Sequence, residues 1–174
     1  MQIIKTCLDD VFIISHDPIQ DERGHFVRNL CVDYLERNNI DFNVKQVSTS
    51  FNIKKHTLRG MHFQKEPEME KKIIQCMKGK IFDVVVDIRE SSPTYLKHYS
   101  IILEENDNKS LFVGKGFAHG FQTLLRDTEV MYHIDRSFSP KHASGILWND
   151  PVLNISWPEN NPTISKKDKN WYRL

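Results

Sequence analysis

Three short segments of this 174-residue chain concentrate the side chains able to do chemistry. The first is Asp21-Glu22-Arg23-Gly24-His25-Phe26-Val27-Arg28. The second is Thr57-Leu58-Arg59-Gly60-Met61-His62-Phe63-Gln64, with Lys71-Lys72 following at the head of an apolar run. The third is Gly114-Lys115-Gly116-Phe117-Ala118-His119-Gly120-Phe121. Histidines supply bases near neutral pH, and arginines and lysines supply positive charge for an anion. None of the segments is a phosphate loop of the Walker type, because no glycine run leads into a lysine and a hydroxyl on a helix. A metal centre wants two or three histidines or carboxylates converging, often a His-x-His pair. Here His62 and Gln64 stand where such a pair would be, and His119 has no His or Glu at short spacing. No metal site is expected, which leaves single histidines free to act as bases.

Read one at a time, these residues also have plain structural explanations. Arg23 and Arg59 read as solvated or ion-paired, Lys72 as an edge charge, and Tyr132 as packed with its hydroxyl satisfied. Asp168, within KKDK, reads as part of a solvated tail. Strand periodicity points Arg59 and His62 to opposite faces unless a bulge or turn intervenes, and Gly60 is a natural place for one.

The elements that must position these groups are mostly strands. Ile73–Met77 and Ile81–Ile88 flank Lys78-Gly79-Lys80 and read as a hairpin. Tyr99–Leu103, Ser110–Val113, His119–Leu124 and Val130–Asp135 follow at regular spacing. One helix-like stretch, Val32 to Asn39, stands out. Short, frequent strands of this kind imply an all-β sandwich or barrel. IFDVVVDI is apolar at nearly every position, so both its faces should be covered, by two packed sheets or by a second subunit. After Pro140 the pattern loosens into a tryptophan-bearing tail that is expected to wrap over the barrel.

Composition sets the outer limits. The length is that of one domain, spanning 1–174. With 39% hydrophobic and 27% charged residues and a formal net charge of +1, nothing attracts nucleic acid or an acidic membrane globally. Cys7, Cys31 and Cys76 are widely spaced and form no CxxC pair, which suits a reducing compartment. No signal peptide or membrane span is read in MQIIKTCLDDVFII, so a cytoplasmic location is expected.

Taken together, DERGHFVR, LRGMHFQ, KIIQCMKGKIFDVVVDIRESSPT, GKGFAHGFQTL, EVMY, GILWNDPVLNISWP and SKKD resemble the dTDP-4-dehydrorhamnose 3,5-epimerase family. The resemblance runs in order from about Phe12 to Asp168. It implies a cupin-type jelly-roll β-barrel with a few short helices, a homodimer, no cofactor and no metal. The implied substrate is a nucleotide-diphospho-4-keto-6-deoxyhexose, whose C3 and C5 hydrogens both lie α to the C4 ketone. Epimerisation then needs a base on one face, an acid on the other, and positive charge near the developing enolate oxygen.

Carried over by motif, the resemblance implies His62 as the base and Asp168 as its orienting carboxylate. Lys72 looks like the cation beside the enolate and Tyr132 like the opposing acid. Arg23, Arg28, Gln46, Ser48, Arg59, His119, Phe138 and Lys167 look like substrate contacts, with paired guanidinium forks suited to a diphosphate. Four positions depart from the family pattern: Arg28 replaces a Glu, Ser48 an Asn, Phe138 a Tyr and Ala143 a Glu. They leave the nucleotide open among dTDP, CDP and GDP; a single-centre (C3 or C5) epimerase on a CDP- or GDP-linked 4-keto sugar or heptose, a 3,4-ketoisomerase, or a non-catalytic sugar-nucleotide-binding barrel are the alternative readings.

Overall fold

A computed structural model describes residues 1–174. The strands are β1 (Gln2–Lys5), β2 (Val11–Ser15), β3 (Ile19–Asp21), β4 (Gly24–Phe26), β5 (Gln46–Asn52), β6 (Thr57–Gln64) and β7 (Lys72–Lys78). They continue as β8 (Lys80–Asp87), β9 (His98–Glu104), β10 (Lys109–Val113), β11 (Phe117–Thr123), β12 (Thr128–Ile134), β13 (Ala143–Gly145) and β14 (Thr163–Ile164). One helix, α1 (Val32–Arg37), precedes β5, and a single 3-10 turn covers Asp168–Asn170.

The strands form two facing sheets. One runs β1-β2-β10-β7-β12-β5; the other runs β13-β6-β11-β8-β9, with β14 parallel to β6 at its edge. From β5 to β8, and again from β9 to β13, successive strands alternate between the sheets, which makes the sandwich a jelly-roll. β3 and β4 form a separate exposed hairpin.

This topology corrects one expectation. β7 and β8 are not a hairpin: β7 pairs with β10 and β12, while β8 pairs with β9 and β11 in the opposite sheet. Only Gly79 separates the two strands. Hairpin loops need at least two residues, so the chain steps across to the other sheet instead of folding back on itself. Both strands then gain two hydrogen-bonded neighbours, which suits two runs so apolar.

The expectation for IFDVVVDI holds, and the tail supplies one of its covers. Ile81 and Val85 face the interior with Ile74, Val130, Phe117 and Phe121. Val84 and Val86 face outward with Leu58, Met61 and Phe63, beneath Ile146, Trp148, Leu153 and Trp157. The wrap is pinned where Trp157 Nε1 donates to the Trp148 carbonyl at 2.8 Å. On the other side of the sandwich, Leu35 of α1 packs with Ile40 and Phe42 over Ile73 and Phe112. The helix ends earlier than expected. Asn39 adopts φ 61°, the left-handed conformation Asn tolerates, and Ile40 N–H turns back to the Leu35 carbonyl at 2.9 Å.

Candidate active site

β6 carries the second motif, and its local geometry decides which way the motif points. Along β11, His119 and Phe121 are two residues apart; their partners on β6, His62 and Arg59, are three apart. The extra residue is a bulge at Gly60, where φ is 136°. A Cβ at Gly60 would sit 2.5 Å from the Gly120 Cα, so only glycine fits between the two strands. Leu58, Met61 and Phe63 therefore face the outer cluster. Arg59, His62 and Gln64 are left on the inner side, and Arg59 and His62 line one recess. The bulge removes the opposition that simple alternation imposed.

His62 Nε2 donates to Asp168 Oδ1 at 2.7 Å. An ionised carboxylate only accepts, so this bond holds the proton on Nε2 and leaves Nδ1 as the basic nitrogen. Asp168 lies far along the chain but is 5% exposed, which corrects its reading as a solvated tail residue. Its own N–H donates to Ser165 Oγ at 3.0 Å, and Trp171 Nε1 donates to Oδ1 at 3.2 Å. Trp171 can approach because residue 145 is glycine: a Cβ there would sit 2.4 Å from Trp171 Cε2. Burial by itself would raise the Asp168 carboxyl. The His62 hydrogen bond and charge, with the Trp171 N–H, outweigh burial and hold it below the usual carboxylate range.

Tyr132 comes from the other sheet. It lies on β12 against the interior cluster of Ile74 and Val130. Its edge meets His119, with ring centroids 6.0 Å apart at 77°. Burial, then the nearby Asp83 carboxylate, push the phenol upward against the opposing Arg59 charge. A phenol held this way stays protonated and can donate. His119 is fixed in turn, with Nε2 at 2.9 Å and 3.0 Å from the Asp83 oxygens in a buried pair.

Lys72 is not an edge charge. β7 is an inner strand of its sheet, and the Lys72 side chain is 13% exposed, with Nζ 2.8 Å from Glu70 Oε1. Arg59 is held by its Nε, which donates to Asn52 Oδ1 at 2.8 Å, and Asn52 Nδ2 anchors to the Thr128 carbonyl at 3.1 Å.

A cavity of about 300 Å³ opens between the sheets, lined by Gln46, His62, Glu70, Lys72, Phe138 and Lys167 among others. Gln46 accepts from the Phe138 N–H, and Lys167 Nζ stands 5.1 Å over the Trp171 ring. A second recess of about 460 Å³ shares His62 and Lys167 and adds Arg59, Ser165 and Asp168. The structure thus gathers His62, Lys72, Asp168, Arg59, Gln46, Phe138 and Lys167 around adjoining spaces; His119 is the strand partner of His62, and Tyr132 packs against His119. Ser48 lies beside Tyr132 as its strand partner and is exposed.

Arg23 and Arg28 are not brought to this site within one chain. Arg23 extends from the β3–β4 hairpin, 85% exposed, with its guanidinium 2.5 Å from Asp21. Arg28 lines a separate recess with Phe26, Tyr34 and Arg37.

Sequence reasoning passed over Asp83, Glu70, Asn52 and Trp171. Two of them left a signal. Asp83 is an acid at an inward position of an otherwise apolar strand, and Glu70 stands two residues before Lys72. Asn52 and Trp171 act through contacts that no local pattern reveals.

The family model described as dTDP-4-dehydrorhamnose 3,5-epimerase matches residues 5–174. The enzyme of that name from Shigella flexneri is 38% identical over 173 residues, covering 98% of this chain and 94% of that protein. The one from Methanothermobacter thermautotrophicus is 35% identical over 176 residues, covering 99% and 94%. Among solved structures, the Bacillus anthracis enzyme with TDP and pyrophosphate bound superposes with a TM-score of 0.97 at 39% identity, covering 99% of each chain. The Legionella pneumophila enzyme in complex with dTDP-4-keto-L-rhamnose gives 0.92 at 32% identity, covering 98% of this chain and 90% of that one. With the jelly-roll, the paired histidine and carboxylate, and the inward tyrosine already in place, these matches establish that the chain belongs to the dTDP-4-dehydrorhamnose 3,5-epimerase family of isomerases.

Proposed function

We propose that this protein epimerises C3 and C5 of a nucleotide-diphospho-4-keto-6-deoxyhexose, with dTDP as the nucleotide. One observation carries the reading. A base and an acid enter from opposite sheets: His62, tied to Asp168, from β6 and Tyr132 from β12. A sugar ring between them presents one face to each.

His62 Nδ1 removes the proton α to the C4 ketone. The imidazolium that forms is stabilised by Asp168 through Nε2–H. Negative charge moves to the C4 oxygen, where the Lys72 ammonium supplies positive charge. Tyr132 returns a proton to the opposite face. Its phenol is a weak acid at neutral pH, but the carbanion-like carbon it protonates is strongly basic. Arg59 and Lys167 hold the diphosphate, and Phe138 stacks on the base near Gln46. No step calls on a cofactor.

The homodimer is part of the proposal. The β3–β4 hairpin exposes Ile19 and Phe26 at 71% and 66%, and the edge strand β5 exposes Val47 and Phe51. A second copy covering these surfaces would bring Arg23 and Arg28 to a neighbouring site. The products suit cytoplasmic synthesis of deoxysugar precursors for surface polysaccharide.

The test is to incubate the protein with the 4-keto-6-deoxyhexose nucleotide in D2O and follow deuterium at C3 and C5 by NMR. Incorporation at both carbons is expected. None with any nucleotide overturns the reading, and incorporation at one carbon selects the single-centre enzyme. Calorimetry with dTDP, CDP and GDP tests the nucleotide. Binding of dTDP in preference to the others is expected, and a preference for CDP or GDP would trace to Arg28.

A further inference from the structure

Glu70 is a buried carboxylate in the reaction cavity that the proposed mechanism does not use. The residue is 9% exposed, and its side chain lines the same cavity as His62, Lys72 and Gln64. Oε1 is paired with Lys72 Nζ at 2.8 Å. Oε2 is buried and accepts no hydrogen bond.

A counter-ion for Lys72 needs only the first contact. Carboxylate oxygens have roughly four lone-pair sites between them, and a buried oxygen without a donor has lost its hydration with nothing in exchange. A buried polar atom without a partner calls for an explanation, and beside a cavity a bound donor supplies one. The missing partner must be a donor, because an ionised carboxylate repels a diphosphate. Within the substrate class proposed above, the donors beside the C4 ketone are the sugar's ring hydroxyls.

We propose that Glu70 Oε2 accepts a hydrogen bond from a ring hydroxyl at C2 or C3 of the 4-keto sugar, while Oε1 holds Lys72 toward the ketone. This assignment rests on the epimerase reading and adds to it. Glu70 is a substrate-binding residue that requires a hydroxylated sugar and orients it relative to the diphosphate. The same carboxylate couples recognition of the hydroxyl to placement of the Lys72 ammonium.

The experiment compares binding of the 4-keto-6-deoxyhexose nucleotide with its 2-deoxy and 3-deoxy analogues, in the wild type and in Glu70→Ala. The wild type should bind one deoxy analogue about tenfold or more weakly, the range of a hydrogen bond to a charged group. Glu70→Ala should bind that analogue and the parent alike within about twofold, the signature of a direct coupling. A merely structural role would lower both affinities together and leave the ratio unchanged, which overturns the assignment. Glu70→Gln keeps the volume and an oxygen for Lys72, so it tests the same ratio should the alanine variant misfold; a penalty reduced to about threefold is expected. Wild-type binding of both deoxy analogues at full strength also refutes it. Failure of the epimerase reading looks different: no 4-keto sugar nucleotide binds the wild type at all, and both proposals fall.

Discussion

Replacing Asp168 with asparagine isolates the charge of the dyad from its geometry. The amide oxygen can still accept from His62 Nε2–H and Trp171 Nε1–H, now 2.7 Å and 3.2 Å from Oδ1. What disappears is the negative charge facing the imidazolium that forms as His62 takes the proton. Two unit charges about 4 Å apart at an effective dielectric near 20 attract by about 4 kcal/mol. The His62 side chain is 42% exposed, so solvent screens part of this. A charge-assisted hydrogen bond net of solvation is worth about 1.5–3 kcal/mol, and about 2 kcal/mol suits a pair with one buried and one half-exposed member. At about 1.4 kcal/mol per decade, deuterium exchange at saturating substrate should slow about 30-fold. KM should change less than about threefold, because the charge appears only as the proton moves. The assay is initial-rate deuterium incorporation at C3 and C5 in Asp168→Asn, with a circular dichroism melt to confirm folding. Exchange within about threefold of wild type in a folded variant would refute the role given to the carboxylate.

Further outcomes follow from the same contacts. Tyr132→Phe should slow net inversion by about 100-fold or more while slowing exchange less than about tenfold, since removal by His62 survives loss of the returning acid; equal losses in the NMR assay would reassign Tyr132. Gly60→Ala should lower the unfolding free energy by about 3 kcal/mol, because its Cβ would lie 2.5 Å from Gly120 Cα at a φ of 136°. Urea titration showing a loss under about 1 kcal/mol would contradict the close approach. Asp87 is buried; burial would raise its carboxyl, but hydrogen bonds from Arg89, Ser92 and Thr94 hold it well below the ordinary range. A carboxyl depressed in the folded state stabilises the protein above its unfolded pKa of about 3.9 and loses that contribution as pH falls through the folded value. Asp87→Asn should therefore lower the melting temperature more at pH 7 than at pH 3, and an equal drop at both would disprove the linkage.

Strand positions were legible because a half-buried or buried strand writes its environment into residue type. β9 to β12 lie within a residue or two of where the alternation puts them. The β7–β8 pairing was not legible. A glycine flanked by apolar strands looks the same whether the chain folds back beside itself or crosses to an opposing sheet; the single-residue connection decides for crossing. Asp168 shows the same limit in the site. Its neighbours in sequence are lysines, so it reads as tail, yet a 3-10 turn buries it against His62.

Composition and motif order were sufficient for an all-β barrel and for the side chains that could move protons and hold anions. Those properties depend on residue type and on contacts between near neighbours. The tertiary structure decided that Arg59 and His62 share a side, through the bulge at Gly60. It also decided that His62 meets a carboxylate 106 residues away and that Tyr132 stands in the other sheet, ring against ring with His119. The reason is physical: sheet pairing sets which distant residues touch, and that register is fixed by close packing across the whole sandwich, at Gly60 against Gly120 and Gly145 against Trp171, where no short segment carries the information.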